Sequence, residues 1–239
     1  MEFYSERSQH VHGPVMLLPQ KGSFTGGSGR PMNSYAILRT HGCILFDAPF
    51  SWIMDTIEQY IGMECAPRAI VLSHRDLAGS GDAFEQIVEH YELPILIHPA
   101  DRHDKKARHL NVPLDDVTSG EGARELERAE IEMIHIPGHS PGSIMLYVPD
   151  EGGVLLAGDS AVGPGPEQDD QSPRLQRPIG ADEDERFIAT WKEVVDTRPI
   201  AAVLPLHGAY YRREDLGEEA FARVVANIWE GEPMDPRSQ

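Results

Sequence analysis

The sequence predicts an α/β domain, and three observations carry that reading. Short apolar runs of strand length recur along the chain, several of them apolar throughout, as strands buried on both faces are. Stretches whose apolar residues return with helical spacing lie between them. A chain of 239 residues can bury a substantial core, and one large α/β domain over 1–239 fits that length better than two small ones.

Residues 15–18 (Val-Met-Leu-Leu) read as a first strand, followed by a Gly- and Ser-rich loop at 22–29. That loop lacks the Lys-Ser or Lys-Thr of a phosphate cradle and opens no helix, so it is read as a mobile surface loop. Residues 33–38 and 42–46 form a hairpin pair ending in Asp47, and a helix spans about 51–61 with Ile53, Ile57 and Ile61 on one face. Residues 69–72 are a buried strand that runs out into Ser73 and His74. A second helix starts near Asp82, with Phe84, Ile87, Val88 and Tyr91 facing inward. Residues 94–98 are another buried strand, and 100–127 are polar, charged and rich in turns.

Two apolar runs, 144–148 and 154–157, are strands joined by a turn at 150–153. A Pro-, Gly- and Asp-rich connection follows over 161–184, of the length that usually serves function or stays disordered. Asp182 reads as the N-cap of a helix to Asp196. A last strand, 201–206, closes on His207-Gly208. A helix at about 216–229 ends the fold, and the tail 230–239 is expected to fray.

With 39 acidic against 21 basic side chains the net charge is −18, which repels phosphate backbones and anionic membrane surfaces. A small-molecule substrate is therefore expected, with no nucleic-acid or membrane partner; oligomeric state is not legible. Cys43 and Cys65 are not spaced as a disulfide framework or a zinc knuckle, which points to a reducing, cytoplasmic setting. The N-terminus shows no secretory pattern and no apolar run is long enough to span a bilayer.

Four strands end in potential metal ligands: His74 with Asp76, His139 before residue 144, Asp159 after residue 157, and His207. Strand ends are rigid points from which side chains can converge, and mixed imidazole and carboxylate donors suit zinc or iron(II). His98 also follows a strand and is a weaker pocket candidate. His10, His12, His41, His90, His103, His109 and His135 lie in tails, turns or helix flanks and are read as solvated.

These residues carry a resemblance. Asp47, Ser73-His74, Pro137-Gly138-His139-Ser140-Pro141-Gly142-Ser143, Gly158-Asp159 and His207-Gly208 are similar in order and spacing to the motifs of the metallo-β-lactamase superfamily, over nearly the whole chain. The resemblance implies a four-layer αββα sandwich with the metals at one edge of two packed sheets, and a hydrolase. The family's first motif is His-x-His-x-Asp-His, however, and this chain reads His74-Arg75-Asp76-Leu77-Ala78-Gly79. The resemblance thus implies one metal held by His74, His139 and Asp76, with zinc expected and iron or manganese as alternatives. The second site keeps Asp159 and His207 and loses the ligands of positions 78 and 79, so a second ion is expected to be weak or absent; Asp82 is a candidate substitute ligand.

The expected activity is hydrolysis of a small ester, thioester, lactone or amide through a metal-bound water. Two alternatives stand beside it. One is a mononuclear iron dioxygenase resembling persulfide dioxygenases, since two His and a carboxylate form its facial triad. The other is a non-catalytic descendant that binds a ligand or partner in the old cleft.

Overall fold

A computed structural model describes residues 6–21, 30–63, 65–105, 112–166, 172–178 and 184–233. Strands β1 (Gln9–His12), β2 (Val15–Leu17), β3 (Tyr35–Arg39), β4 (Gly42–Phe46), β5 (Pro67–Val71), β6 (Ile95–Ile97) and β7 (Leu114–Asp116) form one sheet in that spatial order. Strands β8 (Glu132–His135), β9 (Ile144–Val148), β10 (Val154–Val162), β11 (Ala202–His207) and β12 (Tyr211–Arg212) form the second, in the order β12-β11-β10-β9-β8. The helices are α1 (Met54–Gly62), α2 (Arg75–Ser80), α3 (Phe84–Tyr91), α4 (Pro99–Arg102), α5 (Gly120–Arg128), α6 (Asp184–Thr197), α7 (Arg213–Leu216) and α8 (Glu218–Glu230).

Period-two alternation along the strands sorts the core into layers. On β4, Ile44 and Phe46 face the space between the sheets, while Cys43 and Leu45 face outward toward helices. On β9, Ile144, Leu146 and Val148 face inward, and Met145 and Tyr147 face outward. Helices α1 and α3 cover the first sheet through Ile57, Tyr60, Phe84 and Ile87. Helices α6 and α8 cover the second through Phe187, Trp191, Val194, Phe221, Val224 and Ile228. The central strands β4, β9 and β11 are buried along their whole length because both faces are covered, which is why they read as apolar runs. The architecture is the four-layer αββα sandwich.

The sheets are stitched together at one edge. Asn33 donates its backbone N–H to Leu206 O (2.7 Å), and its side-chain amide donates to Pro205 O (2.9 Å) and Gly208 O (2.8 Å). Tyr35 Oη donates to Pro205 O at 2.8 Å, and Ile144 N–H donates to Ser73 O at 2.9 Å. These bonds cross from the first sheet to the second where β5 and β11 end and β3 and β9 begin.

Several expectations need correction. A strand, β1, precedes the one expected first and pairs with it antiparallel. Helix α2 within residues 73–82 was not foreseen, and 100–127 hold most of α4, the edge strand β7 and most of α5. Strand β8 was not foreseen, and β10 continues past residue 157 to Val162, so Asp159 sits inside a strand and not after one. The last helix starts at Glu218, with α7 and β12 before it. The loop at 22–29, the cap at Asp182 and the tail residues 234–239 lie outside the described residues. Among the described residues no helix is long and apolar enough to cross a membrane.

Candidate metal centre

His74 is the buried floor of the site. The chain leaves β5, and His74 keeps an extended backbone (φ −165°, ψ 171°) as it opens α2. Ser73 fixes it from behind: Ser73 Oγ lies 2.9 Å from His74 Nδ1, leaving Nε2 to face the cluster. Ser73 is itself anchored by its N–H, which donates to Asp47 Oδ1 at 2.7 Å. Asp47 is fully buried in the left-handed region (φ 53°); burial pushes its carboxyl well above the usual range, and the Ser73 bonds only partly offset that.

The other ligand candidates come from the second sheet and from the first turn of α2. His139 Nε2 stands 3.6 Å from Asp76 Oδ2 and 3.7 Å from Asp159 Oδ2. His74 Nε2 stands 3.6 Å from Asp159 Oδ2, and His207 Nε2 stands 3.7 Å from Asp159 Oδ1. His74, Asp76 and His139 can each offer one ligand atom with all three within 4.8 Å of one another. The five residues singled out in the sequence therefore lie in one cluster, with Asp159 bridging from His74 and His139 on one oxygen to His207 on the other. Asp159 can reach the cluster because Gly158, at φ +53°, lets β10 pass against Ser73; a Cβ there would lie 2.5 Å from Ser73 Cβ.

The donor set fits a cation. Separations of 3.6 to 3.7 Å are too long for hydrogen bonds. They approach the spacing of ligands sharing one ion, about 3.3–3.6 Å for bonds of about 2.0–2.2 Å. Asp159 Oδ1 is buried and accepts no hydrogen bond among the described residues, a costly arrangement that a cation would relieve. Burial would raise the Asp159 carboxyl, but the imidazoles of His207, His74 and His139 outweigh it and hold it below its usual range. Burial also lowers His207, and lowers His74 to about 4, so both rings are neutral and ready to ligate at neutral pH. Exposure rises outward, from 3% for the His74 side chain to 24% for His139 and 35% for Asp76, so the cluster opens on the Asp76 side.

Positions 78 and 79 add nothing polar: Ala78 is buried in the apolar cluster under the first sheet and Gly79 has no side chain. Asp82 does not compensate. Its two oxygens accept from Ser51 N (2.7 Å) and Ser51 Oγ (2.8 Å), at the turn that leads into α1. His98 is not in the cluster either; its ring stacks on that of His135 at 4.0 Å, so His135 is part-buried and not simply solvated. Sequence reasoning passed over Asn33, whose two amide bonds hold the β11 end that carries His207.

Comparison with known proteins agrees with this geometry. Residues 27–211 match the model of the metallo-beta-lactamase superfamily. A protein of Bacillus subtilis (strain 168) named "Probable metallo-hydrolase YqgX" is 27% identical over 140 residues, which is 53% of this chain and 64% of that relative's length. The solved structure of TTHA1623 in a di-iron-bound form is 25% identical with a TM-score of 0.55, covering 81% of this chain and 93% of that one. A metallo-beta-lactamase from Erythrobacter litoralis, solved with beta mercaptoethanol in its active site, is 15% identical with a TM-score of 0.63, over 91% of this chain and 93% of that one. With the family model spanning most of the chain and the ligand cluster at the expected edge of the sandwich, the chain belongs to the metallo-beta-lactamase superfamily.

Proposed function

We propose that the chain is a metal-dependent hydrolase that holds one divalent ion on His74, Asp76 and His139, with Asp159 beside them, and acts on the carbonyl of a small ester, thioester, lactone or amide. The observation that carries this reading is Asp159 itself. It is a buried, ionised carboxylate with one oxygen toward His74 and His139 and the other toward His207. When bound, such an ion supplies Lewis acidity toward a carbonyl oxygen and lowers the pKa of a coordinated water.

The chain's own residues do the rest. The Asp159 carboxylate would accept a hydrogen bond from a proton-bearing nucleophile and so orient it. The neutral His207 imidazole would donate a hydrogen bond to an oxyanion developing on the substrate. Asp76, a carboxylate where the family motif has a neutral imidazole, adds negative charge and makes the centre a weaker electrophile. With nothing to ligate at positions 78 and 79, about one ion per chain is expected, because structural and catalytic sites rarely hold on fewer than three protein ligands.

Elemental analysis of protein purified without chelators or a His-tag, beside His74→Ala and Asp76→Ala, tests the centre. About one metal per chain, lost in both variants, supports it; full occupancy in Asp76→Ala removes Asp76 from the ligand set. A panel of ester, thioester, lactone and amide substrates tests the reaction, and no turnover by metal-loaded protein sinks it. Two imidazoles with a carboxylate also match a mononuclear iron(II) triad. Iron in the same stoichiometry, with thiol-dependent oxygen uptake, favours that second reading.

A further inference from the structure

We infer that Asp101, which lies outside the ligand cluster, is the positioning residue that sets the distance between the two ligand-bearing segments. The inference rests on the metal-centre reading above. Asp101 sits in the short helix α4 after β6, and its side chain is completely buried. A buried carboxylate is costly unless its oxygens are bonded, and these are bonded to both parts of the site.

From one side, Arg75 N–H donates to Asp101 Oδ2 at 3.0 Å; Arg75 lies between His74 and Asp76. From the other, Ser140 Oγ donates to the same oxygen at 2.5 Å and Gly142 N–H donates to Oδ1 at 2.9 Å; both belong to the loop that carries His139. One carboxylate therefore ties the start of α2 to the His139 loop, fixing three of the ligand candidates relative to one another. The loop is closed on itself by Ser143, whose Oγ accepts from Ser140 N at 2.9 Å, so a pull on Ser140 moves His139 with it. A second tie, Arg75 Nη1 to Asp104 Oδ2 at 2.9 Å, runs through the Arg75 side chain, whose Nε lies 3.8 Å from Asp76 Oδ1.

The three bonds all need an acceptor that presents two oxygens. Asp101→Asn keeps the shape and one acceptor but turns a donor toward an N–H or a hydroxyl. Ser140→Ala leaves Asp101 in place and removes one bond to the His139 loop.

The test is a competition titration of Zn²⁺ and Co²⁺ against a chromophoric chelator, with the visible spectrum of the cobalt-loaded protein recorded alongside. Outer partners of ligands typically change affinity by roughly 10–100-fold. Asp101→Asn is expected to weaken binding by that factor and to alter the cobalt d–d bands. Ser140→Ala is expected to weaken it several-fold. Wild-type affinity and spectrum in Asp101→Asn and in Ser140→Ala would overturn the inference while leaving the metal centre standing. The inference also falls if affinity drops while the cobalt spectrum of the saturated variant is that of the wild type. No binding by the wild-type chain would overturn the metal-centre reading and this inference with it.

Discussion

Ser73 Oγ lies 2.9 Å from His74 Nδ1, which commits the other ring nitrogen to the ligand cluster. Removing that hydroxyl frees the ring to rotate and to change tautomer. Ser73→Ala is expected to weaken metal binding by roughly 10-fold. The Ser73 N–H bond to Asp47 survives the change, so the metal-free protein is expected to lose only about 1 kcal/mol. A chelator-competition titration beside a urea melt separates the two effects. Unchanged affinity would mean that packing alone fixes the ring.

Gly158 combines a left-handed backbone with a close approach to Ser73. Gly158→Ala is expected to destabilise by well over the about 1 kcal/mol that a left-handed alanine costs by itself, because the new methyl meets the Ser73 Cβ. Gly120 supplies the control: it is also left-handed, at φ +62°, with nothing near where a Cβ would go. Gly120→Ala is expected to show the backbone cost alone. If urea denaturation gives the two variants equal losses, the contact with Ser73 carries no energy.

Asn33 holds the end of β11 with both hydrogens of its amide, on Pro205 O and Gly208 O. Asn33→Ala leaves the Gly208 carbonyl short of a donor, which costs about 1–3 kcal/mol for an unsatisfied buried group, while Pro205 O keeps the bond from Tyr35 Oη. The same change lets His207 drift from Asp159. A lowered melting temperature together with reduced turnover is the expected result, and reduced turnover at an unchanged melting temperature would count against the stitching role.

The metal-free protein is expected to lose stability as the medium is acidified through a defined window. Burial, then repulsion from the His139 and His207 rings, holds His74 at about 4 against an ordinary 6.5, despite the pull of Asp159 and Asp76. Below 6.5 the unfolded ring takes a proton that the folded ring refuses, until the pH falls through about 4. Stability is therefore full above that window and declines on the way down, by about 1.4 kcal/mol for each unit of depression. Burial depresses His207 in the same direction. Urea melts with chelator at about pH 7, 6 and 5 should show a steeper decline for the wild type than for His74→Gln, where that proton is missing. Parallel slopes would show that His74 titrates normally.

The sequence shows the centre better than it shows what surrounds it. His74, Asp76, His139, Asp159 and His207 stand out because each lies at or near the end of an apolar run, and such runs are visible one residue at a time. Helix α2 is six residues long and offers only Leu77 and Ala78 to the core, too few to show a period. Helix α5 is dominated by charge, and β7 is an edge strand with two aspartates, so neither resembles a buried element. Asp101 and Asn33 escape for a different reason. Their partners are distant in sequence, Ser140 for one and Gly208 for the other, so no local pattern marks them. The stacked pair of His98 and His135 is invisible on the same ground.

The two sheets are built from successive parts of the chain, the first from Gln9 to Asp116 and the second from Glu132 to Arg212. His74 and Asp76 belong to the earlier part, and His139, Asp159 and His207 to the later. Neither part owns a complete coordination sphere. A bound ion would then act as a rivet between two plates: it can seat only after the plates have closed, and once seated it resists their parting. Ion uptake would serve as a clock for the docking step in refolding, and a chelator as a wedge driven into the seam.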